Sequence, residues 1–397
     1  MSRRALEREL RSLRAPDEGE AALRAWDLAS AEFDRREAVP AARRLRTRRL
    51  LPLAFTLVCA AALGISPAGA GVVRWVGNRF DSKPGVRHAR PALVTLPASG
   101  SLIVRSRDAV WVVGHDGLRR RLGRYSYPVW SPHGLFVAAV RGDDLVAMEP
   151  NGRVHWSLPR VPAPRRPSWS PDGFRIAYLS GHSLRVVVGN GAGDRLLARH
   201  VPGTPPVWRP GPGHVLAYVR HGGRLVVADA DLGTTLWRSA GGIHPTQLAW
   251  APDGSRLLSV EPQRLLLFDA GGRPARATLE LPQGEIAQAV AFSPDGRTIA
   301  LLRFRPASGR SDLVLLSARG RRWHPRVAFS RLGRFGAPDW SPDGRWLLLP
   351  WRDADQWLFI PTAPGRRMFA VANVASAFEP GRAAARFPTL GGWCCAR

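Results

Sequence analysis

Six times along this chain an aromatic residue is followed by a tight turn, and the copies are almost evenly spaced. They read VWSPHG at Trp130, SWSPDG at Trp169, VWRPGPG at Trp208, AWAPDG at Trp250, AFSPDG at Phe292 and DWSPDG at Trp340. The aromatic positions lie 39, 39, 42, 42 and 48 residues apart. Ser170, Pro171, Asp172 and Gly173 show why the string is a corner. Proline pre-sets φ at the second turn position, Ser and Asp bond nearby backbone N–H groups, and Gly tolerates the exit geometry. The counterparts are Pro132 and Gly134; Pro252, Asp253 and Gly254; Pro294, Asp295 and Gly296; and Pro342, Asp343 and Gly344. His133 replaces the aspartate in the first copy, and Gly-Pro-Gly at 211–213 replaces it in the third. Turn geometry explains that tolerance better than a shared reaction does.

Each corner leads into an apolar run. After Gly173, Phe174, Ile176 and Tyr178 alternate with Arg175, Ala177 and Leu179, a period-2 strand pattern. Two more runs, SLRVVVG and DRLLARH, follow before the next corner. With the strand that ends at the aromatic residue, that makes four strands per unit. A period of about 40–45 residues with four short strands predicts an all-β propeller. Material lies outside the six corners at both ends. Residues 101–123 supply three strands without an inner one, and RFPTLGGWCC at 386–395 supplies an inner strand ending at Trp393 without the rest. One blade made from both termini uses both leftovers and removes the sheet edges of an open ring. The expectation is seven blades closed by the terminal strands, at about 42 residues each; six blades would need about 49, above the usual repeat.

The W-S-P-D-G corner followed by an IAY-like strand resembles the WD40-like (PD40) repeat of TolB-type propellers. The likeness covers roughly residues 100–397. It implies a scaffold or partner-binding platform, since a propeller by itself specifies no chemistry. Hydrolases that carry such propellers add a catalytic domain with a G-x-S-x-G elbow. GHSLRV at Gly181 lacks the second glycine, and H-E-x-x-H and D-x-D-x-D-G patterns are absent from the sequence. DADLGTTLW (229–237) and, more loosely, AMEPNGRVHW (147–156) resemble the D-A-x-T-G-x-x-x-W motif of quinoprotein propellers. There the motif packs neighbouring blades, so it implies a Trp docking onto the next blade. No catalytic residue, cofactor or metal is expected.

The N-terminal quarter differs. Residues 50–73, LLPLAFTLVCAAALGISPAGAGVV, carry no charge and are long enough to cross a bilayer. Arg43, Arg44, Arg46, Arg48 and Arg49 stand just before them, which by the positive-inside rule puts the N-terminus in the cytoplasm. A cleaved export signal is the alternative, with a partial twin-arginine string at 47–53 and a small-residue site ending at Ala70. Leu6, Leu10 and Leu13, then Leu23, Trp26 and Phe33, form two apolar stripes at helical spacing. The expected domains are a cytoplasmic helical tail (1–49), a single-pass membrane anchor (50–73), a linker (74–99) and an extracytoplasmic propeller (100–397). Helical tail, span and outer domain resemble, in layout only, membrane-bound anti-sigma regulators.

Charge and cysteines limit the partners. The formal net charge is +27, yet Lys83 is the only lysine. Of 58 basic and 31 acidic residues, 13 and 9 lie in residues 1–49, leaving 45 and 22 for the rest. The excess therefore belongs to the part expected outside the cell, where a protein or an anionic envelope component is a more accessible partner than nucleic acid. Cys59 lies in the apolar segment, and Cys394 and Cys395 are adjacent. The latter two are candidate labile thiols, read as buried thiols near the closing strand, as a disulfide between themselves or to another chain, or as a metal or redox site. The sequence thus predicts a membrane-anchored, non-catalytic scaffold that binds a protein or envelope component. The alternative is a transmembrane signalling protein whose N-terminal helices hold a regulator.

Overall fold

The computed structural model describes residues 95–275, 278–317, 323–363, 365–382 and 384–395. They form seven four-stranded antiparallel sheets, the blades of a propeller. The inner strands are Thr389–Cys394 in blade I, Ser126–Trp130 in II, Pro164–Trp169 in III and Val207–Trp208 in IV, followed by Gln247–Trp250 in V, Ile286–Phe292 in VI and Asp339–Trp340 in VII. Each inner strand touches the next, and the strand of blade VII touches that of blade I, so the ring is closed.

Blade I is the joint. Its inner strand comes from the C-terminus, and its other three, Ser101–Arg105, Val110–Val113 and Arg119–Gly123, come from the N-terminal side. Leu102 pairs with Trp393 and Ser101 with Cys394. Seven blades, not six, use all the strands of the described residues. The 48-residue interval after Phe292 arises because blade VI has longer strands, with Thr298–Arg305 and Arg310–Ser317 each eight residues long. Packing also reaches back into the stretch read as linker, since Leu96 and Ala98 are buried among residues of blades I and VII.

The core is divided among the seven gaps between blades. Leu102, Val104, Leu348, Phe359 and Trp393 fill the gap between VII and I, just as Ala177, Leu179, Trp208, Leu216 and Tyr218 fill that between III and IV. The aromatic residue closing each inner strand packs toward the preceding blade. Trp208 Nε1 donates to the Ser168 carbonyl at 2.9 Å and Trp340 Nε1 to the Ala291 carbonyl at 3.1 Å. Because each sheet has a neighbour on both faces, middle strands are buried on both sides. Ile176, Ala177, Tyr178 and Leu179 are all buried, whereas Phe174, read as part of the alternation, lies in the turn and is 64% exposed. Outer strands such as Val154–Pro159 are mostly exposed.

Among the described residues no helix is long and apolar enough to cross a membrane. Residues 1–49 and 50–73, with the tail and anchor expected there, lie outside the described residues, as does the linker up to residue 94.

Candidate binding face

The corners between inner and second strands and those between third and outer strands lie together on one face of the ring. In blade III the corner closes with Gly173 N–H donating to the Ser170 carbonyl at 2.9 Å, and Gly173 has φ 77°. Ser170 Oγ accepts from Arg175 N–H at 2.8 Å, and Asp172 Oδ1 accepts from Phe174 N–H at 3.0 Å. Asp253, Asp295 and Asp343 accept in the same way from Ser255, Arg297 and Arg345. One carboxylate oxygen and the serine hydroxyl are therefore committed to the backbone. Pro132, Pro171, Pro252, Pro294 and Pro342, with Gly134, Gly254, Gly296 and Gly344, occupy the same joints around the ring, each following Trp130, Trp169, Trp250, Phe292 or Trp340.

Blades III and IV bring a polar group together at this face. His214 stands where the third corner departs from the pattern. Its Nε2 lies 2.8 Å from Asp172 Oδ2 of blade III, and its Nδ1 bonds Asp231 of its own blade. Arg175 Nε reaches Asp231 at 2.9 Å, and Arg195 reaches it at 3.2 Å. Both ring nitrogens of His214 thus face carboxylates, one on each of two neighbouring blades. Burial works against ionisation of Asp172, but the Ser170 hydroxyl, the Phe174 amide and His214 outweigh it and hold the carboxyl below its usual range. For Asp231 burial is likewise outweighed, by His214 and Arg175. The group clamps two blades together. Asp172 and Asp231 share His214, Arg175 and Arg195 pair with Asp231, and the buried Ser170 hydroxyl bonds Asp172. Among the described residues no group of three or more His, Cys, Asp or Glu is arranged to hold a metal ion.

The motif between third and outer strands behaves as packing. Trp237 Nε1 donates to the Ala270 carbonyl of blade V at 3.0 Å, and Trp156 Nε1 donates to the Gly189 carbonyl of blade III at 2.9 Å.

What the corner pattern did not reveal is the apolar content of the face. Leu118 of blade I, Leu135 of II, Phe174 of III and Leu232 of IV are 72%, 56%, 64% and 74% exposed. Leu135 and Phe174 directly follow their corner glycines. At that position blades V to VII carry Ser255, Arg297 and Arg345. Leu118 and Leu135 border a cleft of about 770 Å³ between blades I and II, which Arg119, Phe136, Glu149 and Asn151 also line. The signal was present in the sequence as the residue after each glycine, but the alternation pattern assigned Phe174 to a strand.

Comparison with known proteins agrees on architecture only. No protein-family model matches the chain, and no curated protein matches it. Solved structures do. Kluyvelomyces marxianus Hsv2 superposes with a TM-score of 0.51 at 11% identity, over 69% of this chain and 93% of that one. The β-propeller domain of Myceliophteria thermophila Cps50 (Swd1) gives 0.49 at 14% identity, over 62% and 86%. Hydrazine synthase of Kuenenia stuttgartiensis gives 0.47 at 14% identity, over 59% and 75%. At such identity the likeness to Hsv2 concerns the fold, and this chain is a seven-bladed β-propeller.

Proposed function

We propose that this protein is a non-catalytic propeller scaffold that holds a protein partner on its turn face, over blades I to IV. The observation that carries this reading is the succession of exposed Leu118, Leu135, Phe174 and Leu232 on one face, where blades V to VII present Ser255, Arg297 and Arg345. Apolar side chains gathered on one surface and bordered by polar ones favour a docking role. Arg119 and Arg120 line the cleft beside Leu118 and Leu135, so the fitting partner carries acidic groups beside apolar side chains. The test is a photocrosslinking residue at Leu135 or Phe174 in the full chain, with Leu332 on the outer strand of blade VI as control. The expected outcome is one protein captured from the first two positions and lost in L118D/L232D. Equal capture from Leu332 would overturn the reading.

The same proposal places the chain with TolB-like PD40 repeat proteins on the corner motif. It attaches the chain to the cell membrane through residues 50–73, with the N-terminus cytoplasmic and the propeller outside. The uncharged segment and the five arginines before it support this topology. Protease added to spheroplasts is expected to digest the propeller and leave a small N-terminal fragment; a fully protected propeller would refute it. The apolar stripes within residues 6–33 favour a signalling variant, in which the tail holds a cytoplasmic regulator. A pull-down with residues 1–49 that retains no regulatory protein would remove that variant.

A further inference from the structure

Cys394 and Cys395 are joined by a disulfide. Their place in the repeat is specific. Trp393-Cys394-Cys395 stands where blade II has Trp130-Ser131-Pro132 and blade III has Trp169-Ser170-Pro171. At three joints the corner glycine meets the corner proline side chain of the preceding blade. A Cβ on Gly173 would lie 3.8 Å from Pro132, one on Gly296 3.4 Å from Pro252, and one on Gly344 3.5 Å from Pro294. At blade I the corner is split between the two chain ends. Gly100, from the N-terminal side, meets Pro342 of blade VII, and a Cβ on Gly134 of blade II would lie 3.2 Å from Sγ of Cys395, where a proline would be. The disulfide thus fills a structural position in the ring, at the one corner where the backbone is discontinuous.

It is also reachable. Both cysteines are only partly buried. They border a cavity of about 360 Å³ that His115, His133, Ser99 and Trp130 also line. Acceptors for the reduced pair are in place. Sγ of Cys395 lies 3.2 Å from the Pro132 carbonyl oxygen and Sγ of Cys394 lies 3.7 Å from that of Ser131, within reach of a donated S–H.

We propose that the Cys394–Cys395 bond is a thiol-exchange site for an external dithiol, and that its redox state sets how firmly the propeller is closed. In the forward step a thiolate of the dithiol attacks one protein sulfur. A new S–S bond forms to the reductant, the Cys394–Cys395 bond breaks, and its electron pair leaves on the other cysteine as thiolate, which takes a proton from water. The second thiol of the reductant then attacks the reductant's own sulfur in the mixed disulfide. That releases the second cysteine and leaves the reductant as a disulfide, so two electrons have passed to the protein. Reduction opens the two-residue ring that fixes Cys395 at φ 60° beside Gly134, so Cys395 is free to leave that corner, and the inner strand Thr389–Cys394 keeps only its pairing with Ser101–Arg105 and its packing.

This proposal is independent of what binds the turn face. The test uses the full-length chain and dithiothreitol as the probe. Folded protein is reduced without denaturant, trapped with N-ethylmaleimide and digested, so that the C-terminal peptide is read separately from Cys59. Two alkylations on the C-terminal peptide are expected in the folded state, with a lower melting temperature and faster amide exchange across Thr389–Cys394. The C394S/C395S variant is expected to melt at one temperature with and without reductant. Alkylation that appears only in denaturant would overturn the proposal. So would an unchanged melting temperature after full reduction, or a reductant-dependent shift that persists in the variant.

Discussion

Asp339 occupies the place before the closing aromatic residue where other blades carry Val129, Ser168, Val207, Ala249, Ala291 and Gly392. Burial pushes its carboxyl up to about 7, against the backbone N–H groups of Trp393 and Trp340, which favour ionisation. The ordinary value is 3.8, so the folded chain holds this proton more tightly than the unfolded chain does. Asp339 therefore costs the fold nothing at low pH. Its cost grows between about pH 4 and 7, by about 1.4 kcal/mol per unit, and is constant above that. We expect D339N to flatten the fall of melting temperature across that window, and an unchanged pH slope would exclude this account. Asp194 is the opposite kind of buried acid. Its side chain is 6% exposed and bonds Arg160, Arg185 at 2.7 Å and the Tyr178 hydroxyl at 2.6 Å. Burial, reinforced by the Asp194 hydrogen bond, pushes the Tyr178 hydroxyl up to about 12. Removing one partner of such a group leaves the other charges uncompensated, so D194A should destabilise by on the order of 3 kcal/mol in a urea titration. A loss under about 1 kcal/mol would show that water replaces the carboxylate.

At the scale of elements, the corners were legible because their chemistry is local. Proline, a short acceptor side chain and glycine at fixed offsets form the turn wherever it occurs, so the string alone located six joints. The two kinds of aspartate differ in what they add. Asp343 serves its own corner through Ser341 and Arg345 N–H, whereas Asp172 also holds His214 of the next blade. D343A should cost about 1 kcal/mol, the usual worth of one such bond. D172A should cost measurably more, and H214A/D172A less than the sum of its single variants. Full additivity in that double-mutant cycle would mean the histidine is not part of the clamp. Strand faces were less legible. The period-2 reading of 174–179 presumed one wet and one dry face, but neighbouring blades cover both, so Ile176 and Ala177 are equally buried. Phe174 then became visible as a surface residue only once the strand was seen to begin at Arg175.

For the whole molecule, stability rests on seven inter-blade cores, one of which is made by residues nearly 300 positions apart in sequence. The closing strand contributes Trp393 to the gap between VII and I and pairs along Ser101–Arg105. Deleting residues 386–397 would leave three-stranded blade I without its inner edge and open the ring. We expect a marked fall in melting temperature and loss of a single cooperative transition. A melting curve like that of the intact chain would mean that the strand is dispensable.

The sequence by itself determined the repeat, the four-stranded unit, the position of six of the seven corners and the use of both ends of the propeller in one blade. All of these follow from local turn chemistry and from spacing. Only the tertiary structure decided which side chains share a surface. Leu135 and Phe174 are 39 residues apart, as are successive corners, and only the curvature of the ring turns that interval into a common face. The meeting of His214 with Asp172, and of Cys395 with Gly134, likewise depends on how neighbouring blades stack. Nothing in a strand's own residues specifies which atoms of the next blade will face it.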